Sequence, residues 1–123
     1  MHYQTDRKRA AGKGSAHSGP EHHWFMIVSS VALAIMIPIW IYIFGSALGS
    51  GYEASLATMS RPFPAILTAL VLIVGMLHFN KGGRTMIEDY SQGSTRKLLI
   101  MAYTGFSYVM IACGLFALVK IAL

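Results

Sequence analysis

A chain of 123 residues has room for one small domain, and 54% of it is hydrophobic while only 12% is charged. Soluble domains carry roughly a quarter charged residues, so this composition points to lipid as the solvent and away from a water-soluble enzyme. The net charge of +5 is concentrated at the start, in Arg7, Lys8, Arg9 and Lys13; beside long apolar runs such a cluster reads as a topology signal rather than a nucleic-acid contact.

Residues 1–23 are polar and rich in Gly, Ser, Lys and His, with Pro20 near the end, and are expected to form a flexible tail. The apolar run that follows is about twice the length of a signal-peptide core, so no secretory signal peptide is expected. No Asp, Glu, Lys or Arg occurs between Trp24 and Tyr52, between Pro62 and Asn80, or between Leu98 and Val119. Each run approaches or exceeds the roughly 20 residues that a membrane-spanning helix needs. The expected architecture is therefore an all-α membrane protein, with a three-helix domain over 24–123 and helices at about 24–48, 64–89 and 98–119.

The first predicted helix carries Pro38 at mid-span, where a kink is expected and neighbouring helices can satisfy the freed backbone groups. Residues 49–61 read as a short loop, and Pro62 and Pro64 suit the first turn of the second helix. The apolar part of that helix, Pro62 to Leu77, spans only about 24 Å, short of a hydrocarbon core of about 30 Å. The span must continue past His78, which places that histidine inside the membrane. In the third helix Gly105, Ser107, Ala112, Cys113 and Gly114 are small enough to let a neighbour approach closely. Cys113 is the only cysteine, which rules out an internal disulfide and a Cys-rich metal site. Basic residues set the orientation. The tail carries four and the link after the second helix carries Lys81, Arg84, Arg96 and Lys97, against Arg61 and Lys120 on the other side. The N-terminus is thus expected in the cytoplasm and the C-terminus in the periplasm.

An ionisable side chain in hydrocarbon is costly enough to call for a function or a named partner. For His78 two readings stand: a hydrogen bond between helices, or an axial ligand to haem iron, which neutral imidazole coordinates well. Met76 is a weaker candidate ligand. Asp89 stands eleven residues after His78, about 1100° of rotation and only about 20° off the same face. If Gly82-Gly83 leave the helix unbroken, carboxylate and imidazole share one stripe about 16 Å apart along the axis. Tyr90 then sets a phenol at the interface, able to donate to a quinone carbonyl. The plainer alternative for Asp89 and Tyr90 is an ordinary helix end. His22 and His23 sit at the interface beside Trp24, too shallow to join His78 on one iron, and His2 and His17 lie in the tail. A bis-histidine haem would need its second ligand from another chain.

His78, Gly82 and Ile87-Glu88-Asp89-Tyr90, with His23-Trp24 leading into Val31-Ala32-Leu33 and with Arg61-Pro62-Phe63, resemble the succinate dehydrogenase membrane anchor family, most of all its alphaproteobacterial members. The resemblance covers roughly residues 15–123. It implies a four-subunit complex with a flavoprotein, an iron–sulfur protein and a second anchor, bound to membrane lipid and located in the bacterial inner membrane. Electrons from succinate would pass through FAD and iron–sulfur clusters to ubiquinone. It implies a haem b held between the anchors with His78 as one axial ligand, and a ubiquinone site that includes Tyr90 and Asp89. Two positions depart from the family pattern. Met26-Ile27 stand where many members have Gln-Arg, and Ser91-Gln92 follow Tyr90 where many have Val-His. Lys81 and Arg84 are then the basic residues left to meet the haem propionates. A fumarate reductase anchor, a haem-free quinone anchor and a small transporter are the alternatives; the chain lacks the inverted repeat and the paired intramembrane charges usual in transporters.

Overall fold

The computed structural model describes residues 3, 5–12 and 18–123, so Lys13, His2, His17 and part of the expected tail lie outside the described residues. Among the described residues the fold is entirely helical: α1 (Asp6–Ala11), α2 (Ser18–Leu48), α3 (Tyr52–Met59), α4 (Pro62–Tyr90) and α5 (Gly93–Ala122). Helices α2, α4 and α5 are long and apolar enough to cross a membrane.

Each long helix outruns the bilayer. The 31 residues of α2 extend roughly 46 Å against a core of about 30 Å. That helix starts at Ser18, six residues before Trp24, because Pro20 falls in its first turn, where a missing N–H breaks no bond. It runs on through Pro38 as one element. Pro62 opens α4 at a position suited to proline, and the helix continues through Gly82-Gly83 to Tyr90. The link to α5 is only Ser91-Gln92, and Gly93 adopts φ +62°, a left-handed conformation that glycine takes without steric cost. Helix α5 begins there rather than at Leu98, so Arg96 and Lys97 lie within its first two turns.

The expected loop 49–61 is largely the short helix α3. The Ser55 hydroxyl donates to the carbonyls of Ala47 and Gly51, folding the segment back onto the end of α2 and burying Ala47. Tyr52 faces outward, 78% exposed.

Helix α4 is the central element, packed against α2 on one side and α5 on the other, and among the described residues the backbones of α2 and α5 do not come together. Two glycines set the α4–α5 distance. A side chain at Gly114 would overlap Leu72, and one at Gly83 would overlap the Tyr103 ring. Ser107 is buried against α4, whereas Gly105, Ala112 and Cys113 point away from this chain's own helices. The buried apolar side chains among the described residues are few: Leu33, Ala47, Pro64, Leu67 and Ile87. Large apolar residues such as Trp24, Ile35, Phe63, Phe106, Tyr108 and Phe116 are exposed on the outside, as in a protein whose solvent is lipid or another helical subunit.

Candidate functional site: a histidine in the α2–α4 seam

The α2–α4 seam carries three side-chain contacts between polar groups. At the basic end, where α2 starts and α4 stops, the Thr85 hydroxyl lies 3.4 Å from Nε2 of His22. Seven residues deeper on both helices, Ser29 Oγ lies 2.7 Å from Nδ1 of His78. Near the α3 end, the Trp40 indole N–H donates to Thr68 Oγ1 at 3.1 Å, and Thr68 donates to the Pro64 carbonyl at 2.7 Å. The matched seven-residue step is what two antiparallel helices in close register produce. It fixes which face of α4 looks at α2: the stripe of His78 and Thr85.

His78 is half-buried within the apolar span of α4, and its ring is held by one short contact to a side chain that is itself only 4% exposed. Among the described residues no hydrogen bond involves its Nε2, so that atom is left open to a ligand from outside the chain. No group of three or more His, Cys, Asp or Glu could hold a metal ion among the described residues. His78 is thus not part of a self-contained metal centre among the described residues, and a single imidazole open at Nε2 is compatible with a haem whose other ligand comes from elsewhere.

Because α4 is unbroken, Asp89 falls on the His78 stripe about 16 Å further along, opposite the first turn of α2 by the register of the seam. Asp89 is exposed, and Tyr90, the last helical residue, is 88% exposed. Neither makes a side-chain hydrogen bond among the described residues, so the chain offers their polar atoms outward. His23 is exposed as well, while His22 is half-buried in the seam.

Between the start of α2 and the end of α4 lies a polar cavity of about 530 Å³ lined by Gly19, His22, Asn80, Lys81, Arg84, Thr85 and Glu88. Its two cations are already engaged. Arg84 pairs with Glu88 at 2.8 Å, and the Lys81 ammonium sits 4.2 Å from the centre of the Phe25 ring. A second cavity, about 480 Å³ and apolar, lies near the α3 end among Trp40, Phe44, Leu72, Met76 and Gly114. Met76 belongs to that lining, one helical face away from the imidazole.

Sequence reasoning did not anticipate Ser29, Thr85, Asn80 or Thr68 as partners. Asn80 donates to Ser107 at 3.1 Å, and Ser107 donates in turn to the Tyr103 carbonyl at 2.9 Å. The available signal was polarity. Each of these residues interrupts or borders an apolar run, and the helix opposite had to answer it.

Fold and site define a three-span membrane protein with one deep histidine held at a helical seam and open at one nitrogen. Over residues 1–119 the chain matches the family described as succinate dehydrogenase/fumarate reductase transmembrane subunit. It is 49% identical over 123 residues to the succinate dehydrogenase hydrophobic membrane anchor subunit of Paracoccus denitrificans, a match that takes in 100% of this chain and 95% of that one. The subunit of the same description from Rickettsia conorii is 24% identical over 120 residues, 94% of each chain. No solved structure matches. The chain belongs to the succinate dehydrogenase/fumarate reductase transmembrane subunit family. Within it, the chain sides with the membrane anchors of succinate dehydrogenase, and it is a multi-pass inner-membrane protein.

Proposed function

We propose that this chain, as a succinate dehydrogenase anchor, supplies one axial ligand to a b-type haem shared with a second anchor subunit and contributes to a ubiquinone site at the cytoplasmic surface. The observation that carries this reading is His78: an imidazole inside a membrane span, tied at Nδ1 and open at Nε2. The haem, when bound, supplies a one-electron relay within the membrane. His78 holds and orients it, and the exposed apolar faces of α2 and α5 give the second anchor a surface to pack against.

Tyr90 offers a hydroxyl to a quinone carbonyl, and the Asp89 carboxylate orients the donors or water around it. Both stand at the end of the bundle marked by Lys81, Arg84, Arg96 and Lys97, which the positive-inside bias puts in the cytoplasm. That is the side on which a flavoprotein and an iron–sulfur subunit deliver electrons from succinate to ubiquinone. The C-terminus is then periplasmic. The purified four-subunit assembly should show a reduced-minus-oxidised b-type band with about one haem per complex, and succinate should reduce ubiquinone. An assembly that reduces ubiquinone without any such band would leave His78 as a hydrogen-bonding residue and overturn the haem part of the proposal.

A further inference from the structure

The contact that holds His78 also decides which of its nitrogens carries the proton. Ser29 Oγ lies 2.7 Å from the Phe25 carbonyl and 3.2 Å from the Met26 carbonyl, both in the preceding turn of its own helix. A serine hydroxyl has one hydrogen and two lone pairs. With that hydrogen turned back onto α2, the face presented to His78 at 2.7 Å is a lone pair. The partner atom must then be a donor, so Nδ1 is protonated. In a neutral imidazole this leaves Nε2 with its lone pair free.

We propose that Ser29 is a positioning residue for His78: its hydroxyl accepts the Nδ1–H bond, fixes the tautomer and the ring plane, and makes Nε2 a stronger ligand toward the haem. This inference rests on the haem reading of His78 given above. The physical chain is short. Phe25 and Met26 carbonyls polarise the Ser29 hydroxyl, and the hydroxyl oxygen draws on the Nδ1 proton. Electron density is thereby pushed toward Nε2, in the way that outer partners raise the basicity of ligating histidines. Ser29 is 4% exposed, so no water competes for the bond. The backbone of α2 fixes it in turn, because its hydrogen bonds go to the helix that carries it. The pair is also independent of the polar cavity at the basic end, where His22 meets Thr85.

The test compares the assembled complex carrying wild-type chain, Ser29→Ala and Ser29→Thr. Potentiometric titration of the haem and its low-temperature paramagnetic resonance spectrum are the readouts. A more electron-rich ligand stabilises the oxidised iron, so loss of the hydroxyl should raise the haem midpoint potential and move the low-spin g values. Threonine keeps a hydroxyl and should stay close to wild type in both. Haem lost from the alanine variant but retained in the threonine variant supports the same conclusion. Three outcomes overturn it: an alanine variant with wild-type potential and g values, equal shifts in both variants, or loss of haem from both. A wild-type complex with no low-spin haem refutes the haem reading itself, and this inference with it, on a different sample from the other three.

Discussion

Tyr90 and His78 sit about 18 Å apart along α4, far enough that a change at one need not reach the other. Tyr90→Phe removes only an exposed hydroxyl and keeps the ring, so assembly and haem content should survive. On the proposed quinone contact, the hydrogen bond lost would be worth on the order of 1 kcal/mol, which predicts several-fold slower succinate–ubiquinone reduction. Succinate oxidation by a soluble artificial acceptor, measured on the same sample, should stay near wild type. Equal ubiquinone rates in both proteins would make the phenol an ordinary interfacial side chain. At this scale His78 was legible in the sequence because an imidazole among apolar residues demands a partner. Ser29 was not, because a serine in a helix can satisfy itself on the carbonyl a turn earlier, and it does so here. Only the pairing of α2 with α4 shows that the same oxygen also meets a histidine.

The three spans were legible as elements because each is an uninterrupted apolar run with proline or glycine at its borders. The interior of α4 was not. Gly82-Gly83 weaken a helix in isolation, where each glycine costs about 1 kcal/mol relative to alanine. In the folded chain the Tyr103 ring fills the space at Gly83, stacks on Phe79 at 4.7 Å between centroids, and donates its hydroxyl to the Phe79 carbonyl at 3.2 Å. Tertiary packing thus keeps the helix intact and uses the missing side chain as a socket. Gly83→Ala should displace that ring and cost about 1–3 kcal/mol, seen as a lower thermal midpoint of the purified complex. Gly105→Ala, where nothing of this chain lies within 4 Å, should leave the packing of α4 on α5 intact. Equal effects of the two substitutions would mean that the Tyr103 socket does not hold α4 and α5 together. The helix α3 escaped sequence reading for a different reason. Eight residues make barely two turns, too few for a face to repeat, and its anchor is a serine bonded to the end of another helix.

Taken whole, the described residues bury little of themselves, and α2 and α5 are joined through α4 and the short α3 rather than to each other. Such an open arrangement suits a subunit completed by others, and the single open nitrogen of His78 says the same in chemical terms. Expressed without a second anchor, the chain should hold no stoichiometric low-spin bis-histidine haem. A strong signal of that kind from the lone chain would place both ligands within it. The orientation is a separate prediction. A reporter fused after Leu123 should be active only outside the cytoplasm, and activity inside would remove Tyr90 and Asp89 from the side where electrons arrive. The most direct test of the central claim is the low-temperature paramagnetic resonance spectrum of the assembled complex carrying His78→Ala, beside His22→Ala as the matched change at a shallower histidine. The account predicts that the low-spin haem signal is lost or converted by His78→Ala and retained by His22→Ala. An unaltered low-spin signal in the His78→Ala complex would contradict it.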